Sequence, residues 1–182
     1  MKRILLFSIL SIIVLSCKNT EPDPIASADF FPLQVGNYWK VDDNDYLEIT
    51  NTKVIDGHTY YQIYTKSPLG GEGNLYIRID KDLNLIQAYE NAPGYSKVIA
   101  NFRIKKGKKV ADTPEEPTVI ERDNDKITFR YLCVICGRAN AMFDISFHKG
   151  KGILSRNSLF RGYFENNPPF TEIRINGQVY KL

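Results

Sequence analysis

The sequence predicts an all-β domain: an antiparallel meander forming a curved sheet, a barrel or a sandwich. Three observations predict it. Beyond residue 30 the apolar side chains recur with a period near two and are mostly β-branched or aromatic, the types that fit a pleated, half-buried surface. Turn-forming residues separate these runs at short intervals, which favours antiparallel neighbours. No amphipathic helix follows the first sixteen residues, so the helical crossovers that join parallel strands have no candidate.

In chain order the expected strands are Asn37 to Asp42, Tyr46 to Ile55, His58 to Lys66, a run with Leu75, Ile77 and Ile79 on one face, Leu85 to Glu90, and Lys97 to Ile104. Val119 to Arg122 follows, then a run with Ile127, Phe129 and Tyr131 on one face, another with Phe143, Ile145 and Phe147, and finally Glu172 to Leu182. Turn chemistry lies at Asp43-Asn44-Asp45, Asp56-Gly57, Gly70-Gly71-Glu72-Gly73, Pro93-Gly94, Asp123-Asn124-Asp125 and Asn176-Gly177. Lys105 to Thr118, with Pro114 and Pro117, reads as a long exposed loop. Arg156 to Thr171 carries Leu159, Phe160, Tyr163, Phe164 and Phe170, and is expected to plug one end of the sheet. Alternation looks alike in a barrel and a sandwich, so both stay open.

The first residues have a different composition. Lys2 and Arg3 precede an apolar run from Ile4 to Leu15, broken only by Ser8 and Ser11 and closed by Ser16 and Cys17. This is the outline of a secretory signal, and it is shorter than the roughly 20 apolar residues a spanning helix needs. Val14-Leu15-Ser16-Cys17 resembles the lipobox of bacterial lipoproteins. The resemblance implies that residues 1–16 are cut away and that Cys17 carries acyl chains such as palmitate. Lys18 in place of aspartate after the cysteine resembles the sorting pattern for outer-membrane delivery, with the body facing either periplasm or exterior. Residues 17–29, polar and containing Pro22 and Pro24, read as a flexible tether, and residues 30–182 as one domain.

Phe31-Pro32-Leu33-Gln34-Val35-Gly36-Asn37-Tyr38-Trp39 resembles the opening of a group of β-rich envelope lipoproteins from Gram-negative bacteria, and Lys149-Gly150-Lys151-Gly152-Ile153-Leu154 resembles a glycine-containing bend that they carry late in the chain. No catalytic residue comes with the resemblance. On physical grounds Gly36 permits a turn, Phe31 and Trp39 can pack across it, and Gly150 and Gly152 allow a bulge or sharp bend.

The net charge of +3 includes Lys2 and Arg3, so the remainder is close to neutral and offers no basic face for nucleic acid. Lys105, Lys106, Lys108 and Lys109 form a short basic run, but Gly107 interrupts it and Asp112, Glu115 and Glu116 follow, as in a solvated loop.

Few constellations suggest chemistry. Cys133 and Cys136 admit a disulfide, a pair of buried free thiols or a redox pair. On a continuous strand their Cα atoms would lie roughly 10 Å apart. A bridge needs them within about 7 Å, and so needs a bend at Val134-Ile135. Zinc would require a second ligand pair, and none is present. His58 and His148 are the only histidines and stand at expected strand ends. No nucleophile elbow, zinc-protease helix or phosphate loop occurs. Asp42, Asp43, Asp45 and Glu48 cluster, as do Glu115 and Glu116, without calcium-loop spacing.

The expectation is therefore a non-enzymatic, monomeric, lipid-anchored envelope protein without cofactor or metal, acting as a binding or structural module. Its partners would be the membrane, through the lipid, and an envelope protein or small molecule. The alternative is a periplasmic carrier of a small apolar or aromatic ligand, with Tyr60, Tyr61, Tyr64, Tyr76 and Tyr89 lining its cavity.

Overall fold

Alternation of buried and exposed side chains is realised strand by strand in the computed structural model, which describes residues 27–68, 71–92, 94–110, 117–132, 142–154 and 168–182. The expected leader, the lipidated Cys17, residues 17–26 of the tether, the Cys133 and Cys136 pair, and most of the segment from Arg156 to Thr171 lie outside the described residues.

Among the described residues every element is a strand and every pairing is antiparallel. A tight hairpin opens the described chain, with β1 (Ser27–Ala28) paired to β2 (Phe31–Pro32). Ser27 and Ala28, at the end of the expected tether, are thus paired in this hairpin. Six strands then form a meander: β3 (Tyr38–Asp42), β4 (Asp45–Ile55), β5 (His58–Ser67), β6 (Gly71–Ile79), β7 (Asn84–Ala88) and β8 (Ser96–Asn101). A second meander contains β9 (Thr118–Arg122), β10 (Lys126–Leu132), β11 (Met142–His148) and β12 (Gly152–Ile153). The chain then returns to the first sheet as β13 (Glu172–Ile175) and β14 (Gln178–Lys181). The larger sheet has eight strands in the order β14-β13-β3-β4-β5-β6-β7-β8, and the smaller has four, β12-β11-β10-β9.

Neither sheet closes on itself, so the barrel is replaced by two packed sheets. Trp39, Ile49, Ile63, Ile77, Leu85 and Ile173 from the large sheet share one fully buried core with Val119, Ile127, Phe129, Ile145 and Phe147 from the small one. Aromatic edges join the layers: Phe102 meets the Phe147 ring at 5.1 Å and Phe129 at 6.4 Å, both T-shaped. The Tyr131 hydroxyl also crosses between sheets, donating to the Ile99 carbonyl at 2.7 Å.

Three expected boundaries change, each because backbone pairing overrides local composition. Glu172 to Leu182 is a hairpin, turned by Asn176 (φ +52°) and Gly177 (φ +82°). The Gly71 to Gly73 stretch, expected as loop, is paired with Ser67, Lys66 and Thr65 as the start of β6. Within the expected Lys105 to Thr118 loop, Val110 N–H bonds the Pro117 carbonyl at 2.9 Å and Gly107 N–H bonds the Val119 carbonyl at 2.7 Å, which extends the β9 edge.

The two segments that carry the lipoprotein resemblance meet in space. Phe31 stacks on Trp39 at 5.2 Å, and the Trp39 indole N–H donates to the Lys151 carbonyl at 2.7 Å. Gly152, at φ +77°, lies directly against both rings. A Cβ there would stand 2.8 Å from Trp39 Cζ2 and 3.1 Å from Phe31 Cδ2, so only glycine meets both the backbone and the space requirement. Gly150 N–H donates to the Asp29 carbonyl, which fastens the bend to the first hairpin.

Candidate functional site

A strand with one face in the core presents its alternate residues to solvent, and register aligns those of neighbouring strands into rows across the sheet. On the outer face of the large sheet one row runs Lys181, Glu172, Lys40, Tyr46, Lys66 and Glu72, from β14 to β6. The adjacent row runs Val179, Arg174, Tyr38, Glu48, Tyr64 and Asn74. Aromatic rings therefore alternate with both signs of charge across six strands.

A groove of about 360 Å³ lies on this face, lined by Tyr38, Lys40, Asp43, Tyr46, Glu48 and Arg174. Arg174 is central to it. Its guanidinium sits 4.6 Å from the Tyr38 ring centre, its Nε donates to the Gly36 carbonyl at 2.6 Å, and a terminal nitrogen lies 3.3 Å from Glu48 Oε1. The Tyr38 hydroxyl donates to Glu172, which also pairs with Lys181. That hydrogen bond, with burial, raises the Tyr38 pKa above its ordinary value, while Lys181 and then Tyr38 lower that of Glu172. Lys40 and Asp43 pair at the groove rim, which raises the pKa of the amine and lowers that of the acid. Tyr46 and Tyr64 rings lie 5.9 Å apart, tilted by 47°. Each charged group lining the groove is thus fixed by a partner of opposite sign.

Asn37 precedes Tyr38 in the chain and faces inward. Buried to 1 % exposure, its side chain donates to the Pro32 carbonyl at 3.0 Å and accepts from Asn176 N–H at 2.8 Å, tying the opening motif to the C-terminal hairpin.

The five tyrosines expected to line a cavity are distributed over several environments. Tyr60 and Tyr76 are buried together on the outer face with Ile86 and Ala88. Arg78 lies 5.5 Å from the Tyr60 ring centre and Lys53 lies 5.4 Å from that of Tyr76, while the Tyr76 hydroxyl donates to Glu90 at 2.5 Å. Tyr61 points the other way and packs against the main core. Tyr64 flanks the groove beside Tyr46, and Tyr89 is exposed, 5.4 Å from Tyr95. Among the described residues they do not converge on one cavity.

His148 lies on the outer face of the small sheet, paired in register with Lys126 and Gly152. Burial, then Lys126 and Lys151, lower its pKa below 6.5. The hydroxyl pair of Thr128 and Ser146, 2.9 Å apart beside Glu121, lies on the same two strands without a hydrogen bond to that imidazole. His58 opens β5 opposite Ile55, on the other sheet. Among the described residues no three His, Cys, Asp or Glu side chains converge as metal ligands.

The sequence places Asn37 and Tyr38 in the opening motif and Tyr46 at a strand start, but gives none of them, nor Arg174, a role in a site. Arg174 reaches Glu48 across 126 positions of chain, so only strand register brings the groove together. In comparisons with known proteins, no family model, curated protein or solved structure matches this chain.

Proposed function

We propose that this protein is a non-catalytic cell-envelope module, anchored to the outer membrane by acyl chains on Cys17 and binding its partner through the outer face of the large sheet. The charged start, short apolar run and lipobox-like Val14-Leu15-Ser16-Cys17 support the anchor. One observation carries the binding role: a groove of about 360 Å³, within the size range of ligand sites, in which the Tyr38 hydroxyl, the Arg174 guanidinium and the Lys40 amine each have a hydrogen-bonded partner. Prearranged groups of this kind lose little freedom when a partner arrives.

Two measurements test the reading. Intact mass of the chain purified from membranes is expected to show a start at Cys17 with added acyl chains, and Cys17→Ala is expected to release the protein from the membrane fraction; an unacylated, full-length product overturns the anchor. Hydroxyl-radical footprinting in the presence of isolated envelopes is expected to protect Tyr46 and Tyr64 while Tyr95, on the β7–β8 connection, stays reactive. Protection elsewhere with Tyr46 unchanged overturns the groove as the binding face.

A further inference from the structure

We infer that the occupant of the groove is an uncharged saccharide chain lying across the strands. The inference rests on the binding role proposed above and adds the ligand's chemistry. Length is the first argument. The groove lining comes from β13, β3, β4 and the β3–β4 turn, and the two outer rows continue from it over β14, β5 and β6, so that at about 4.8 Å per strand spacing outward-facing side chains run for roughly 24 Å in line with the groove. An extended polymer seated in the groove can continue along these rows, which a compact metabolite would leave uncovered.

Charge balance is the second argument. The groove lining holds two cations, Lys40 and Arg174, and two anions, Asp43 and Glu48, each cation beside an anion. Such a surface has no excess of one sign to attract a polyanion or polycation. Ionic heads already neutralised by a neighbour keep unused hydrogen-bonding capacity: a guanidinium has five N–H groups and a carboxylate about four acceptor positions. Hydroxyl groups can donate to one and accept from the other without disturbing the pair.

The rings supply the third. Tyr38, Tyr46 and Tyr64 stand on three successive strands of these rows. The Tyr38 ring already carries the Arg174 guanidinium over one face, and Tyr46 and Tyr64 supply negative faces suited to the weakly positive C–H edges of a pyranose ring. An extended peptide fits this surface less well, because peptides gain affinity by joining a sheet edge, whereas the backbone groups of these central strands are already used in the ladder.

The test uses the full lipidated chain captured in a phosphatidylcholine layer, with binding followed by surface plasmon resonance. The probes are neutral β-linked hexasaccharides of glucose and of N-acetylglucosamine, a sulfated hexasaccharide, hexa-aspartate and hexa-lysine. A neutral hexasaccharide is expected to bind with an affinity unchanged between low and high salt, since no ionic attraction is screened. Tyr46→Ala is expected to weaken it about tenfold and Tyr46→Phe by less than about threefold, with thermal melts confirming that both variants are folded. If only a charged probe binds, and Tyr46→Ala abolishes that binding, the saccharide assignment is overturned while the groove stands. If no probe binds and footprinting leaves Tyr46 unprotected, both fail.

Discussion

Strands β3 to β5 show two faces that differ in almost every physical respect although they share a backbone. β3 sends Trp39 inward, where it is fully buried, stacked on Phe31 and pressed against Gly152. One residue to either side, Tyr38 and Lys40 point outward into half-exposed ion-pair networks. The inner face is held by close contact, in which a single added methyl group meets atoms at 2.8 Å. The outer face is held by hydrogen bonds and ion pairs among half-exposed polar side chains, each of which contributes little to stability. Stability therefore resides chiefly in the inner face, while the proposed binding role falls to the outer one, and substitutions on the two should have unlike consequences.

The largest expected effect is at Gly152. Gly152→Ala combines a left-handed backbone with the clash against Trp39 and Phe31, and should cost about 2–4 kcal/mol in urea denaturation. Gly150→Ala is the control: its φ is also positive, at +69°, but nothing lies near, so about 1 kcal/mol is expected. Equal costs at the two positions would remove close packing from the explanation. Asn37→Ala should rank next, at about 1–3 kcal/mol, because it leaves the Pro32 carbonyl and Asn176 N–H without their buried partner. Tyr46→Ala should cost less, about 0.5–1 kcal/mol, through its cross-strand contacts on the outer face. A loss as large as that at Asn37 would mean the groove is a stability element and would break the division of labour between the faces.

The smallest effect concerns pH. His148 has a folded-state pKa below its ordinary 6.5, so below that pH the unfolded chain takes up a proton that the folded chain resists. Stability from this source is complete above pH 6.5 and declines as pH falls through 6.5 toward the lower folded value. Thermal midpoints between pH 7.5 and 5.5 should fall more for the native chain than for His148→Gln. Equal slopes would show that the imidazole titrates alike in both states.

Much of this architecture can be read in the sequence because alternation is a local signal. Ile127, Phe129 and Tyr131, or Phe143, Ile145 and Phe147, announce both a strand and its buried face within five residues. The turn at Asn176-Gly177 is equally visible, yet the apolar pattern continues through it and disguises a hairpin as one strand. Barrel and sandwich differ only in whether the edges meet, and no single strand encodes that. The groove is less legible still. Density of tyrosine drew attention to Tyr60 and Tyr61, which are adjacent and so must face opposite ways. The groove instead draws Tyr38, Glu48 and Arg174 from three strands, and their proximity depends on register between the two ends of the domain.

That the C-terminal hairpin docks beside β3 has a further consequence for how the molecule comes into being. Tyr38 and Glu172, partners in the finished sheet, are 134 positions apart. Contacts so distant in sequence slow folding, because a long loop of chain must be closed before they form. β3 therefore lacks its β13 neighbour until residues 172–175 have been synthesised.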